Sequence, residues 1–282
     1  MRLSVKALLA LNRCFPRIEH PFNMQNEGRQ TYAEWQFSQG ARTLECFLPE
    51  MTPADILAGK EVLDMGCGAA GKSLYYVSAG AKHVTGVEMV EHYRAEAEAL
   101  AAKLGFADRF RFQVGDAVHT GLPDASFDAV VMNDFMEHVS QPREAIEEAL
   151  RVLRPGGRLY ITLPPYYHPT GAHLSDAIGI PWVQIWFSEQ TLIDAYKELI
   201  RGVPDEADRL ALRFSAGADG KEHITYINKM TLRRFRRILC DLGITPVFYK
   251  EIPLRRYFAP LAKLPGVKEL FVKMVACVIE KK

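Results

Sequence analysis

Short apolar runs recur between residues 61 and 163 and alternate with segments whose apolar residues follow a helical spacing. A nearly continuous apolar run is typical of a parallel strand that is covered on both faces. Five runs predict strands: EVLD (61–64), HVTGVE (83–88), RFRFQV (109–114), FDAVVMN (127–133) and RLYITL (158–163). Their alternation with helices predicts an α/β fold with a doubly wound, Rossmann-like sheet, whose ligands bind beyond the carboxyl ends of the strands.

Predicted helices separate these strands. They cover Lys72–Ala79, Val90–Leu104 with Gly105 as its C-terminal stop, and a segment around Ile146 that has Pro142 in its first turn and ends at Arg154-Pro155-Gly156-Gly157. A helix over 231–243 and strands over 244–252 and 270–280 would complete a mostly parallel sheet of seven strands.

Two segments are not required to build the predicted sheet. A helical leader carries Tyr32 and Trp35, which either approach the ligand as part of a lid or anchor the leader on the sheet. A long insertion after the fifth strand is expected to form a substrate cap, because simple connections are shorter. The expected organisation is a leader (1–59), a ligand-binding core (60–163), an inserted cap (164–228) and a C-terminal part of the core (229–282).

The glycine-rich turn after the first strand fits three ligand-binding patterns. Residues 66–71 spell the dinucleotide pattern G-x-G-x-x-G, and residues 66–73 spell the phosphate-loop pattern G-x-x-x-x-G-K-S. The third pattern is an acid, Asp64, followed by Gly66 and Gly68. All three place glycine where the backbone must approach a ligand closely.

Asp64 discriminates between these patterns. A phosphate about 4 Å from its carboxylate would be repelled by roughly 4 kcal/mol at an effective dielectric constant of about 20, whereas a cationic ligand would be attracted. Asp64 could instead only cap the turn through backbone hydrogen bonds. The second strand ends in Glu88, 22 positions after Gly66, near the spacing at which a carboxylate binds the ribose hydroxyls of an adenosine ligand. A nicotinamide-dependent enzyme would explain Glu88 equally well but not Asp64.

Residues 61–163 resemble the class I S-adenosylmethionine (SAM)-dependent methyltransferases that act on small molecules, a group that includes ubiquinone and menaquinone biosynthetic methyltransferases. The matching stretches are VLDMGCG (62–68), VTGVEM (84–89), GDA (115–117), FDAVVMNDFMEHV (127–139) and LRPGGRLYIT (153–162). They follow the family's order along the chain. The resemblance implies SAM as the cofactor and S-adenosylhomocysteine (SAH) as its product.

The resemblance also implies roles for individual residues. Asp64, Gly66 and Gly68 would border the methionine moiety, with Asn133 at the end of the fourth strand. Glu88 would hold the ribose diol, Met89 would pack on the adenine, and Asp116 would bind the adenine amino group beside the amide of Ala117. His138 matches a common family position, where it is expected to serve the structure after the fourth strand.

The phosphate-loop alternative gains support from VVMND (130–134), which mimics a strand that ends in a magnesium-binding acid. It leaves Glu88 and the Gly115-Asp116 pair unexplained. Under the methyltransferase interpretation, Lys72 is expected to be a solvated residue of the first helical turn.

Composition narrows the class of protein. The chain has 282 residues, 48% hydrophobic content and a formal charge of +1, so it is expected to be globular and not to bind nucleic acid. The five cysteines are scattered and lack C-x-x-C spacing, which predicts neither disulfides nor a metal site and favours a reducing, cytoplasmic compartment.

Two segments raise the question of membrane contact. MRLSVKALLAL (1–11) predicts a short amphipathic helix rather than a signal peptide, and no run is long enough to span a bilayer. LRRYF (254–258) could contact anionic lipid or substrate, although a solvated connection is the expectation.

Methyl transfer mainly requires that the acceptor be held in line with the methyl group. A hydroxyl or amine acceptor must also lose a proton, for which histidine is suited. His173 is the first candidate for this base, with Asp176 to orient it, and His168 is the second. The sequence thus predicts a methyltransferase acting on an oxygen or nitrogen, less readily a carbon, of a small molecule. A SAM- or SAH-binding protein without transfer activity stays open as the alternative.

Overall fold

The computed structural model describes residues 1–16 and 19–282. Arg17 and Ile18, which belong to the predicted leader, lie outside the described residues. The described chain forms two compact units. The sheet unit comprises Gln30–Leu163, Arg233–Ile252 and Met274–Lys282, and the accessory unit comprises Met1–Arg29, Pro164–Leu232 and Pro253–Lys273. The predicted leader is therefore divided between the two units. Its residues from 30 onward lie in the sheet unit, and its described residues before 30 lie in the accessory unit together with the inserted segment.

The sheet unit contains the predicted seven-stranded sheet. Its strands are β1 (Glu61–Met65), β2 (His83–Glu88), β3 (Phe110–Val114), β4 (Phe127–Asn133), β5 (Leu153–Leu163), β8 (Phe248–Pro253) and β9 (Val272–Glu280). They lie in the order β3-β2-β1-β4-β5-β9-β8. Strands β1 to β5 pair in parallel, and β9 runs antiparallel to β5. The doubly wound, mostly parallel α/β fold is thus confirmed.

The helices of the chain flank the sheet or build the accessory unit. They are α1 (Leu3–Asn12), α2 (Pro21–Asn26), α3 (Tyr32–Leu44), α4 (Pro53–Leu57), α5 (Gly71–Ser78), α6 (Tyr93–Leu104), α7 (Pro142–Val152), α8 (Val183–Trp186), α9 (Glu189–Leu199), α10 (Glu206–Arg213), α11 (Leu232–Asp241) and α12 (Lys268–Phe271). A two-stranded hairpin, β6 (Phe214–Ala216) and β7 (Glu222–Ile224), completes the accessory unit. Among the described residues, no helix is both long and apolar enough to span a membrane.

Local sequence explains several helix ends. Helix α3 begins at a capping box in which the Thr31 hydroxyl accepts from the Glu34 amide, and the Glu34 carboxylate accepts from the Thr31 amide. Helix α6 ends at Gly105, which has a φ of +72°. Each unit has its own buried apolar cluster.

The strand order fixes where a ligand can bind in the sheet unit. Strand β1 pairs with β2 on one side and with β4 on the other, so the chain changes direction across the sheet at this point. In open parallel sheets the ligand crevice lies at such a switch point, beyond the carboxyl ends of the strands.

Candidate functional site

The glycine turn leaves β1 in the left-handed region that favours glycine. Gly66 has a φ of +76° and Gly68 a φ of +57°. The Gly66 amide donates to the Val87 carbonyl at 2.8 Å, and a Cβ added at Gly66 would lie 2.2 Å from the Phe135 ring. Packing on two sides therefore requires glycine here, independently of any ligand.

Asp64 lies beneath this turn and is 3% exposed. Its Oδ2 accepts a hydrogen bond from the Ser73 hydroxyl at 2.6 Å. Burial raises the pKa of Asp64 to about 6, against the lowering effects of the Ser73 hydrogen bond and the Lys72 charge. Nearby Glu88 adds to the raising effect. Asp64 is thus a buried acid whose negative charge is incompletely compensated, and a cation nearby would stabilise it.

Glu88 ends β2 and is hydrogen-bonded to the same turn. Its Oε2 accepts from the Gly68 amide at 2.9 Å, and its Oε1 accepts from the Val90 amide at 3.1 Å. These two bonds fix the carboxylate beside the glycine turn. The neighbouring Met89 side chain is 69% exposed.

Asp116 and Ala117 lie in the turn after β3, next to the end of β2. The Gly115 amide donates to the Glu88 carbonyl at 3.0 Å. Asp116 is exposed, and its Oδ1 accepts from the Val118 amide at 3.0 Å, whereas Ala117 is buried. The structure therefore brings the expected residues of β1, β2 and the β3 turn together at one edge of the sheet.

Asn133 joins this edge from the end of β4, where Lys72 also binds. The Asn133 Nδ2 donates to the Thr162 hydroxyl at 2.5 Å. Lys72 Nζ donates to Asn133 Oδ1 and, at 3.2 Å, to Asp134 Oδ2. The Lys72 side chain is only 15% exposed, so the expectation of a solvated lysine is wrong. It fails because β4 ends in the amide Asn133, which is followed by the acid Asp134, and both side chains reach Lys72 in the first turn of α5.

The same contacts disfavour a phosphate loop. Lys72 is engaged by Asn133 and Asp134, and the Ser73 hydroxyl is engaged by Asp64. The lysine and hydroxyl that would bind a phosphate and its magnesium ion thus already pair with carboxylates, which would repel a phosphate.

Sequence reasoning missed a second buried acid, Glu137. It is 3% exposed, and neither of its carboxylate oxygens has a hydrogen-bond partner among the described residues. Burial, followed by the charge of Asp134, raises its pKa well above the usual range. Asp134 itself has a φ of +50°, an unusual backbone conformation for a residue other than glycine. The two acids in NDFMEH (133–138) were the available signal, since they flank apolar residues and acids are seldom fully buried unless they are paired.

Gln36 of α3 was also missed. It is buried, and its Oε1 accepts from the Gly71 amide at 3.1 Å, so α3 covers the glycine turn. Tyr32 lies one helical turn earlier, where its ring contacts those of Trp35 and Tyr93 at centroid distances of 6.1 and 5.6 Å. A Cβ added at Gly68 would lie 3.5 Å from Tyr32 Cε1. Of the two leader aromatics, Tyr32 therefore lies beside the turn.

The two candidate histidines, His168 and His173, lie in the accessory unit. His168 Nδ1 lies 3.3 Å from the Thr170 amide, which donates to it, and 3.1 Å from the Thr170 hydroxyl. A neutral histidine that accepts at Nδ1 carries its proton on Nε2, so it presents a donor there rather than a base. His173 has a φ of +53°, and its ring lies 6.1 Å from that of Tyr226.

Asp176 does not serve as the orienting acid expected for His173. Its Oδ1 accepts from Arg213 at 2.9 Å, and its Oδ2 accepts from Arg209 at 3.0 Å and from the Tyr196 hydroxyl at 2.5 Å. Both arginines are almost fully buried and need a compensating charge. Asp176 therefore stabilises the interior of the accessory unit. The short spacing between His173 and Asp176 in the sequence could not reveal that the acid pairs with the two arginines instead.

Comparisons with known proteins locate the similarity mainly in the sheet unit. A family model described as "Methyltransferase domain" matches residues 63–161. A tocopherol O-methyltransferase of Arabidopsis thaliana is 32% identical over 135 residues, covering 48% of this chain and 36% of that protein. A sterol 24-C-methyltransferase of Gibberella zeae is 37% identical over 102 residues, covering 36% of this chain and 27% of that protein.

One relative is matched over most of its length. A demethylmenaquinone methyltransferase of Clavibacter sepedonicus is 30% identical over 172 residues, which cover 59% of this chain and 69% of that protein. The first three relatives are covered over only 27–38% of their length. Among solved structures, a geranyl diphosphate methyltransferase in complex with SAM has a TM-score of 0.54 at 16% identity, covering 98% of this chain and 95% of that one. At this low identity, the similarity to the solved structure shows a shared fold and nothing further.

Proposed function

Because this chain belongs to the class I SAM-dependent methyltransferases, we propose that it transfers a methyl group from SAM to a small-molecule acceptor. The observation that carries the proposal is Asp64, a buried acid with a raised pKa under a glycine turn. Such an acid suits a ligand that brings a positive charge and opposes one that brings phosphates.

The residues at the sheet edge fit the proposed cofactor. Asp64, Gly66, Gly68 and Asn133 would border its methionine moiety, and Glu88 would hold its ribose. Met89 would cover the adenine, and Asp116 with the amide of Ala117 would bind the adenine edge. When bound, SAM supplies a methyl group that the positively charged sulfur activates. The chain must then position an acceptor and exclude water, and positioning alone can contribute about 7 kcal/mol or more.

The acceptor atom that we propose is oxygen or nitrogen, with carbon less favoured. Relatives include both an O- and a C-methyltransferase, so they support a small-molecule acceptor without deciding the atom. An oxygen or nitrogen acceptor would lose its proton to His173, and His168 would contribute a donor at Nε2. The cytoplasmic location expected from the cysteine pattern is part of the same proposal.

Calorimetric titration with SAH tests the cofactor assignment, with ATP-magnesium and NAD as competing ligands. We expect micromolar binding of SAH to the wild type and a loss of roughly 10- to 100-fold in Glu88→Ala, because the ribose would lose a charged hydrogen-bond acceptor. The control is Glu91→Ala, which removes an exposed acid that pairs with Arg94. Binding of ATP-magnesium without SAH would make Lys72 and Ser73 the site and overturn the proposal.

Transfer itself is tested with methyl-labelled SAM and a small-molecule extract. Label in a low-mass product supports catalysis. Intact SAH binding without any labelled product, across extracts of varied polarity, would favour the alternative of a binding protein without transfer activity.

A further inference from the structure

Exposed apolar side chains are concentrated in the accessory unit. Nine of the twelve large apolar residues that are prominently exposed in the described chain belong to it, although it is the smaller unit. Five of the nine lie on α8 or on the segment 253–268: Ile185, Trp186, Tyr257, Leu264 and Val267. Trp186 is 70% exposed and Tyr257 is 72% exposed. Exposed apolar clusters of this kind mark interaction surfaces.

The segment 253–268 is basic as well as apolar. Its sequence PLRRYFAPLAKLPGVK contains four cations and no acid. Arg255, Arg256 and Lys263 are exposed, and they alternate with the exposed apolar residues. The segment folds as two short 3₁₀ turns, Arg256–Phe258 and Leu261–Lys263, followed by α12.

Aromatic contacts connect this segment to α8. Trp182, which immediately precedes α8, donates from Nε1 to the Leu270 carbonyl at 3.2 Å. Its ring lies 6.4 Å from that of Phe271, which in turn lies 5.1 Å from that of Phe258. The exposed Ile185 and Trp186 therefore belong to a surface that is built together with the basic segment.

We propose that residues 185–186 and 255–267 form a surface that binds the face of an anionic lipid bilayer. Tryptophan and tyrosine prefer the headgroup region, and each nearby lysine or arginine strengthens attraction to anionic lipid. The charge pattern favours a bilayer over a protein as the partner of this surface. The core of a protein interface is depleted of lysine, whereas cations interleaved with aromatic residues strengthen binding to an anionic bilayer. The binding is peripheral.

Vesicle flotation of the full chain tests this proposal. We expect binding to phosphatidylcholine vesicles that contain about 30% phosphatidylglycerol and much weaker binding to phosphatidylcholine alone, with the difference shrinking as salt is raised. Arg255→Gln/Arg256→Gln should weaken partitioning roughly 10- to 30-fold. Trp186→Ser/Tyr257→Ser should weaken partitioning into both kinds of vesicle.

Matched controls come from the sheet unit. Arg233→Gln/Arg237→Gln removes two exposed cations of α11, and Val247→Ser removes an exposed apolar side chain. Neither should change flotation. Three outcomes would overturn the proposal: no binding to either vesicle, equal losses in the control variants, or a stable dimer in light scattering that Trp186→Ser abolishes. Because SAH calorimetry needs no vesicle, failure of lipid binding is distinguishable from failure of the proposed function.

Discussion

Asp64 illustrates how one buried residue can favour a cationic ligand. Among the described residues, its side chain accepts a hydrogen bond from the neutral hydroxyl of Ser73 alone, so the carboxylate depends on more distant charges for compensation. SAM and SAH differ by a methyl group and by the positive charge on the sulfur. In the proposed site, an ionised Asp64 bordering the methionine moiety would therefore distinguish the two ligands electrostatically.

The preference for SAM over SAH should depend on pH. Because the pKa of Asp64 is about 6, raising the pH from 5 to 7 ionises it, and we expect the SAM-to-SAH affinity ratio to rise by roughly tenfold. Parallel titrations with both ligands measure this ratio. In Asp64→Asn the ratio should not vary with pH, and an unchanged slope in that variant would remove Asp64 from the explanation.

Residue positions could be predicted better than residue partners. Strand-end acids such as Glu88 could be placed from sequence because a strand's end is visible in the apolar pattern. The partners of Lys72 and Asp176 could not, because they come from positions about 30 to 60 residues away that only the folded chain brings near. Glu137, whose carboxylate accepts no hydrogen bond among the described residues, escaped notice for the same reason: its burial is a property of the packed structure.

At the scale of elements, apolar patterns predicted β2 and β4 to the residue but misplaced the start of β5. The Arg154-Pro155-Gly156-Gly157 stretch was expected to be only a turn, yet β5 begins at Leu153. Leu153 pairs with Phe127, and the Gly156 amide donates to the Lys281 carbonyl at 2.7 Å. Both partners are distant from 153–157 in the sequence, so the local sequence could not indicate them.

The crossing of α3 over α5 depends on two glycines. A Cβ added at Gly71 would lie 1.9 Å from the Ala33 carbonyl oxygen, and one at Gly40 would lie 2.2 Å from Tyr75 Cγ. Both distances are below any contact that atoms can adopt, so a side chain at either position must separate the helices. Since Gln36 reaches the Gly71 amide from α3, such a separation would also disturb the glycine turn.

Gly71→Ala should therefore destabilise the protein by about 2 kcal/mol or more, as overpacking does, and should weaken SAH binding. Urea unfolding and calorimetry measure the two effects. Gly115→Ala is the matched control for stability, because an added Cβ there meets its nearest neighbour at 3.7 Å without a positive φ. Equal stability of both variants would mean that α3 and α5 can separate at little cost.

At the scale of the whole molecule, each unit contains a buried or partly buried group whose titration should alter stability, and the two expected signs are opposite. In the accessory unit, burial lowers the pKa of His20 to about 4, with the charges of Arg213 and Arg209 opposed by those of Asp176 and Asp205. Its stabilising contribution is complete above pH 6.5 and is lost as the pH falls through about 4. In the sheet unit, the raised pKa of Asp64 gives a contribution that is complete below pH 3.8 and is lost as the pH rises through about 6.

Between pH 4.5 and 6.5 the two units should therefore respond to pH in opposite directions. Hydrogen exchange measured on peptides from 189–213 and from 61–88, corrected for intrinsic rates, reports each unit separately. We expect opening free energies to rise with pH in the first set and to fall in the second, each by roughly 1 to 2 kcal/mol. His20→Gln should reduce the first slope without abolishing it, because the lowered pKa values of Glu189 and Asp205 act in the same direction. Asp64→Asn should reduce the second without abolishing it, because the raised pKa of Glu137 acts in the same direction. Parallel slopes in both sets of peptides would mean that these two residues do not govern the pH response of their units.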